Sequence, residues 1–234
     1  MRFLKPVFIP VFSALVVSSS AQENVITRAS RLMGHLESYS IKESLKSEAV
    51  GEPVEVVREK MVAKNGLIYI SHKADWGQDE AYISTARIAV KKNQKWEIGT
   101  EKEKGQWGQL LGLPITDFDV LKKEVKSLQR TGKSELVGGK ECAIYEEQLD
   151  DEAAKELAGL NYWRNAQFRG VAKLWIGKGD IIYKYEFVIN YRRTFGGTQI
   201  DGKITRVEEL SHINETSVLL PEEVAMLFKN ETSR

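Results

Sequence analysis

From residue 39 onward, apolar and polar positions alternate with a period of two over most of the chain, the pattern of half-buried strands. Before that point the period is helical. Val25, Ile26, Ala29, Leu32, Met33 and Leu36 share one face, and Arg28, Arg31 and Glu37 lie elsewhere, which predicts a helix over residues 25–36. Residues 52–63 alternate and run into Asn65-Gly66, a strong hairpin signal, before a strand at 67–70. Residues 82–90 read as one strand, followed by a turn at Lys92-Asn93 and a short strand around Trp96 and Ile98. Gly138-Gly139 joins a strand ending at Val137 to one over 141–147, and Asp201-Gly202 precedes a strand over 204–213.

The clearest pairing is 168–176 with 181–191. With Lys178-Gly179 as a two-residue turn, Ile176 faces Ile181, Leu174 faces Tyr183, Ala172 faces Tyr185 and Gly170 faces Phe187. Ile181, Tyr183, Tyr185, Phe187, Ile189 and Tyr191 then form one apolar face. The other face carries Lys173, Lys184, Glu186, Asn190 and Arg192. Short helices interrupt the strands. Thr116 or Asp117 is placed to cap 118–126, and Asp150 to cap 151–158, which Gly159 stops. Pro221 and two acids open a last helix ending near Phe228. Gly105, Gly108 and Gly112 around Trp107 read as a flexible loop. Helices inserted among many antiparallel strands indicate an α+β protein, with a strongly curved sheet or open barrel covered by the N-terminal helix and the short inserted ones.

Residues 1–21 read as an export leader. Arg2 and Lys5 precede an apolar run over 7–17, too short to span a bilayer, and Ser19-Ser20-Ala21 offers a cleavage site. An uncleaved N-terminal anchor is the alternative. No cysteine follows the leader, so a bacterial lipoprotein anchor is not expected. The mature chain, 22–234, reads as a single domain, and its expected location is periplasmic or secreted. Without Arg2 and Lys5, 32 of the 34 basic residues stand against 33 acidic ones, so the mature chain is near neutral and lacks the clustered positive surface that nucleic acid requires. Cys142 is the only cysteine, so no intramolecular disulfide exists, and its strand context suggests a packed small hydrophobe.

Chemistry is sparse. His35, His72 and His212 are scattered, and His72, Asp75 and His212 form a metal site only if the fold is assumed. Asp117/Asp119 and Asp150/Asp151 sit at helix starts, where capping explains them. Glu208 and Glu209 point to opposite faces of a strand. No nucleophile elbow, P-loop or dinucleotide fingerprint occurs, and no cofactor is implied. Asn214-Glu215-Thr216 and Asn230-Glu231-Thr232 are glycosylation sequons in a eukaryotic secretory setting. The surplus is apolar: the hairpin face, with Trp96, Trp107, Tyr162 and Trp163 in segments able to reach it.

A resemblance rests first on three stretches. They are the helix over 25–36, the run Val137-Gly138-Gly139-Lys140-Glu141-Cys142-Ala143-Ile144-Tyr145, and Ala172-Lys173-Leu174-Trp175-Ile176-Gly177-Lys178-Gly179-Asp180 with the long strand to Tyr191. The segment 204–213 leading into Val218-Leu219-Leu220-Pro221 completes it. In this order the chain resembles the superfamily of bacterial lipoprotein carriers and lipid-binding proteins that includes LolA and the LppX and LprG type. That resemblance implies an unclosed β barrel with helices across its opening, and acyl chains held inside. It carries over no catalytic or gating residue, and the insertion over 159–167 departs from the pattern.

The expected function is therefore an extracytoplasmic, non-catalytic carrier of lipid-like or acylated ligands. Leu174, Ile176, Ile181, Tyr183, Tyr185, Phe187 and Ile189 would line an apolar cavity. Val25, Ala29, Leu32, Met33 and Leu36 would form its lid. Expected partners are a lipid or acylated ligand or another envelope protein, with only peripheral or transient membrane contact. Two alternatives stand beside this reading: an interaction or sensor module on the same fold with a filled core, and a hydrolase, which requires a pocket of His, Asp or Glu.

Overall fold

The computed structural model describes residues 23–49, 54–75, 77–111, 128–160 and 162–229. The expected leader, the expected helix over 118–126 and the sequon at Asn230 lie outside the described residues. Eleven strands occur among the described residues: β1 (Tyr39–Glu48), β2 (Val54–Val62), β3 (Ile68–Ala74), β4 (Gly77–Ile83), β5 (Ile88–Lys92), β6 (Lys95–Ile98), β7 (Gln129–Val137), β8 (Lys140–Leu149), β9 (Ala166–Gly177), β10 (Ile182–Phe195) and β11 (Thr198–Ser211). The helices are α1 (Glu23–Met33), α2 (Glu101–Leu111), α3 (Asp151–Leu157) and α4 (Glu222–Lys229). The chain is thus α+β, built on a single antiparallel sheet.

Strand order is β6-β5-β4-β3-β2-β1-β11-β10-β9-β8-β7, so the sheet is open, with β6 and β7 at its edges. Each half is a meander in which consecutive strands pair. The halves meet where β1 pairs β11, from Ser40 with Ser211 to Glu48 with Lys203. Twist accumulated over so many strands curls an open sheet.

Turn chemistry explains most of the hairpins. Gly138 and Gly139 have φ of 54° and 76°, the left-handed values that a primed two-residue turn requires. Asn65-Gly66 turns β2 into β3 as expected. Residues 82–90 form two strands rather than one, because Ser84 N–H and Arg87 O bond at 2.8 Å around a four-residue turn. The strand that Asp201-Gly202 was expected to precede is longer. The turn is at Gly196-Gly197, and Gly202 sits inside β11 opposite Tyr191. The Tyr191 ring covers the space that a side chain at 202 would need: a Cβ there would lie 2.2 Å from Tyr191 Cζ.

The β9–β10 hairpin is present with a different register. Gly177 N–H bonds Ile181 O at 2.9 Å, which leaves Lys178-Gly179-Asp180 as a three-residue loop. A bulge between Ile182 and Lys184 adds a second one-residue offset. Leu174 therefore faces Tyr185, Ala172 faces Phe187 and Gly170 faces Ile189. Two single offsets preserve parity, so Tyr185, Phe187, Ile189 and Tyr191 keep the apolar face. Tyr183 is the residue that the bulge expels.

Asp150 caps α3 as expected, accepting from Ala153 N–H at 2.9 Å. Of the segment read as a glycine loop around Trp107, Gly112 lies outside the described residues, and Gly105 and Gly108 lie in helix α2. Its cap is reciprocal: Glu103 N–H donates to Thr100 Oγ1 (3.2 Å), and Thr100 N–H donates to Glu103 Oε2 (2.7 Å). α1 ends at Met33, so Leu36 lies beyond it. At the edge, β7 bulges between Arg130 and Ser134 around Gly132, and all its side chains except Val137 are exposed.

Apolar side chains gather on both faces. On one, α1 and α3 cover a large patch on β8–β10, and Trp107 of α2 packs on a second patch on β3–β5. On the other, α4 covers Tyr82 and Ala89, while Cys142, Val137 and Trp175 pack together further along the sheet.

Because Tyr191 is buried and cannot swing away, Gly202→Ala should destabilise the protein by about 1–3 kcal/mol. Denaturant unfolding of the variant against wild type measures this, and an unchanged midpoint would refute the ring-over-glycine packing.

Candidate ligand-binding face

The unbroken ladders from β9 to β5 place Leu174, Tyr185, Glu208, Glu43, Arg58 and His72 on one face, together with Ile41, Ile70, Ala81 and Val90. This face, the one α1, α2 and α3 cover, has three zones.

The first zone is the hairpin patch. Leu174, Ile176, Tyr185, Phe187 and Ile189 are buried in one cluster with Ile182, Phe168 and Tyr191. Ile26 and Ala29 of α1 and Ala153, Ala154 and Leu157 of α3 close over them, with Val25 packed at the margin. Of the other residues expected in the lid, Leu32 is exposed, and Met33 and Leu36 are half-buried. Arg28 of α1 pairs with Asp180 at the hairpin turn, both partly exposed. The void bounded here by Met33, Ile41, Ile182, Tyr185 and Leu210 measures about 10 Å³, room for one water and not for an acyl chain.

Two residues expected on this face are placed elsewhere. Tyr183, expelled by the bulge, packs with Cys142, Val137 and Trp175 on the opposite face, its ring against Gly177. Burial there raises the Cys142 thiol above its ordinary pKa, so the thiol is held neutral. Ile181, beside the turn, is half-buried and outside the clusters.

The second zone was missed from the sequence. It is a charged belt across β11, β1 and β2, between the two apolar patches. Glu43 is 4% exposed, Arg206 7% and Glu208 2%. Glu43 Oε2 accepts from Arg58 Nη1 at 3.2 Å, and Glu43 Oε1 lies 3.0 Å from Arg206 Nε. Arg206 Nη2 lies 2.7 Å from Glu208 Oε1. Two arginines thus balance two carboxylates, which is what allows four charges to leave water together. The signal was available: Ile41-x-Glu43-x-Leu45 and Ile204-x-Arg206-x-Glu208-x-Leu210 put charges on the inward beat of an apolar alternation.

Two further bases border the belt. Burial pushes the Lys60 ammonium down to about 8, opposed by Glu208. Burial and the neighbouring Arg58 also lower His72, opposed by Asp79 and Glu43. Glu208 is inward and Glu209 outward, as the strand alternation required. Among the described residues no group of His, Cys, Asp and Glu is arranged to hold a metal ion.

The third zone is the patch of Ile70, Ala81, Ile83, Ile88 and Val90 under Trp107. Away from these zones, beside the β7 bulge, an open recess of about 400 Å³ is lined by Gln129, Arg130, Thr131, Glu146, Glu147 and Gln148.

Removing one member of the belt leaves buried carboxylates uncompensated. Arg206→Met should cost about 3–5 kcal/mol of stability, read from thermal or denaturant unfolding. Lys60 Nζ lies 5.5 Å from the Tyr39 ring centre, and burial disfavours its charged form more than Glu208 favours it. A base whose folded pKa is depressed binds fewer protons folded than unfolded between about 8 and its ordinary 10.5, so stability rises with pH through that window. Lys60→Met should therefore be more stable than wild type by about 1–3 kcal/mol at neutral pH. That advantage should fade as pH climbs from about 8 towards 10.5. A difference constant with pH would contradict it.

No family model and no curated protein sequence matches the chain. Among solved structures it is similar to LprF from Mycobacterium bovis, at 12% identity over 88% of this chain and 98% of that one, with a TM-score of 0.48. It is similar to a LolA superfamily protein from Nitrosomonas europaea, at 9% identity over 86% and 96% of the two chains, with a TM-score of 0.29. A third is the MucB structure in complex with MucA from Pseudomonas aeruginosa, at 11% identity over 87% of this chain and 60% of that one, with a TM-score of 0.34.

Proposed function

We propose that this chain is a non-catalytic extracytoplasmic binding protein for a lipid-like or acylated ligand, with residues 1–21 as its export leader and 22–234 as one binding domain. The observation that carries the reading is the way α1 roofs the hairpin patch. Of its described side chains only Ile26 and Ala29 are buried, and its charged tie to the hairpin is the partly exposed pair Arg28–Asp180. An exposed pair of that kind contributes little. Each methylene of an acyl chain that replaces α1 on the patch contributes about 0.8 kcal/mol. A chain of ordinary membrane-lipid length therefore competes well with two small or medium apolar side chains. Leu174, Ile176, Tyr185, Phe187 and Ile189 would form the floor, and α1 the lid. The void of about 10 Å³ beside Met33 and Tyr185 is too small for an acyl chain, so a ligand seated on this patch would displace α1.

A second reading, a recognition module with a permanently filled core, is favoured by the burial of Phe187 and Leu174 beneath α1 and α3. One experiment separates the two. Arg28→Cys and Asp180→Cys, introduced with Cys142→Ala, provide two thiols that a short bis-maleimide can bridge. The unbridged protein should bind a fluorescent long-chain fatty acid, and the bridged protein should lose most of that signal. Equal binding by both forms would overturn the lid. Absence of binding by the unbridged form, with no lipid on the native mass, would leave the recognition module.

A further inference from the structure

The least expected exposed side chains lie at one end of the β9–β10–β11 ribbon. The β10–β11 hairpin runs past β1, whose pairing with β11 stops at Glu48 and Lys203, and turns at Phe195-Gly196-Gly197-Thr198. The connection from α3 to β9 lies beside it, and Thr194 N–H bonds Asn165 O at 3.4 Å. Tyr162 on that connection is 72% exposed, and Phe195 at the hairpin tip is 71% exposed.

These rings stand on a fixed base. Tyr162 meets Trp163 edge-on with ring centres 6.1 Å apart, and Trp163 packs on buried Tyr191 at 5.1 Å and on buried Phe168 at 6.3 Å. The Arg193 guanidinium lies 4.2 Å from the Trp163 ring centre and 5.7 Å from that of Phe195. The aromatic tip is therefore braced from the core outward.

Its charge is one-sided. Residues 158–165 and 191–202 carry three arginines, Arg164, Arg192 and Arg193, against one acid, Asp201, which Arg192 holds at 2.7 Å. The chain as a whole is nearly neutral, so this excess is local. Rigid aromatic rings that project into solvent and are flanked by arginines match the water–lipid boundary, where rings enter the acyl margin and guanidinium groups stay with phosphates.

We infer that the tip formed by Tyr162, Trp163, Arg164, Arg193 and Phe195 docks the protein on the surface of a bilayer that contains anionic phospholipid. The docking is peripheral and reversible, because two projecting rings and a few charges fall far short of a membrane span. It does not depend on the hairpin patch holding a ligand.

The test is co-sedimentation of the full chain with vesicles of phosphatidylcholine alone and of phosphatidylcholine with phosphatidylglycerol in equal parts. Binding should favour the anionic vesicles and weaken with added salt. Tyr162→Ser with Phe195→Ser should reduce the partition by about tenfold. Arg164→Gln with Arg193→Gln should remove the preference for phosphatidylglycerol. Leu219→Ser, an exposed apolar residue that follows the far end of β11, should leave binding unchanged. All of these positions are solvent-facing or partly so, and matching unfolding transitions establish that the variants are folded. The inference is overturned by absent vesicle binding, by equal binding of wild type and tip variants, or by an equal loss with Leu219→Ser. It is also overturned if the tip variants change only the self-association of the protein, which would make the tip a contact between copies.

Discussion

The pairing of β1 with β11 is the join on which this fold depends. Each half of the sheet is a meander whose contacts are local, but the two halves become one sheet only where the first strand meets the last. The buried charges sit across that seam: Glu43 on β1 is bound to Arg58 on β2 and to Arg206 on β11, which also holds Glu208. A slip of two residues between β1 and β11 would keep the faces unchanged and satisfy an apolar seam almost as well. With Glu43 present, a slip that carried it towards Leu210 would part it from Arg206 and leave buried charges uncompensated. The belt thus opposes a slip in that direction, which an apolar seam alone would tolerate.

The seam also divides the covered face. On the α1 and α3 side the patch is large and rich in aromatics, and on the α2 side it is small and aliphatic. Charged residues between the two keep them from merging into one continuous oily surface. The helix roofing the larger patch is attached with few buried side chains, whereas α3 is tied by its cap and by Asp151, which accepts from Phe168 N–H at 2.6 Å. Of the two roofs, α1 is the one whose displacement costs least.

Much of this architecture was readable from residues alone. Strand periodicity, the Asn-Gly and Gly-Gly turns, the Asp150 cap and the Gly159 stop are local signals, and local geometry obeyed them. The errors came where two local rules competed. Lys178-Gly179 suits a two-residue turn, yet Asp180 at a φ of 60° extends the loop, and the bulge at Tyr183 has no composition of its own. Glycines around Trp107 suggested a loop, but the Thr100–Glu103 cap and the packing of half-buried Trp107 on the β3–β5 patch outweighed their low helix propensity. Gly202 suggested a turn, although its role is to leave room for a ring on the neighbouring strand. The buried belt went unnoticed because Glu43 lies far in sequence from Arg206 and Glu208, and the β1–β11 pairing brings them together.

The uneven margin at β7 has a consequence for how the molecule behaves in a crowd. A straight border of free amide and carbonyl groups is an invitation to further strands, and β6 avoids it by being only four residues long. β7 is longer, but the kink at Gly132 and the projecting Lys133 break its line, so another chain cannot lie flush against it. The sheet is in this sense self-limiting: it can be large without becoming the seed of a fibre.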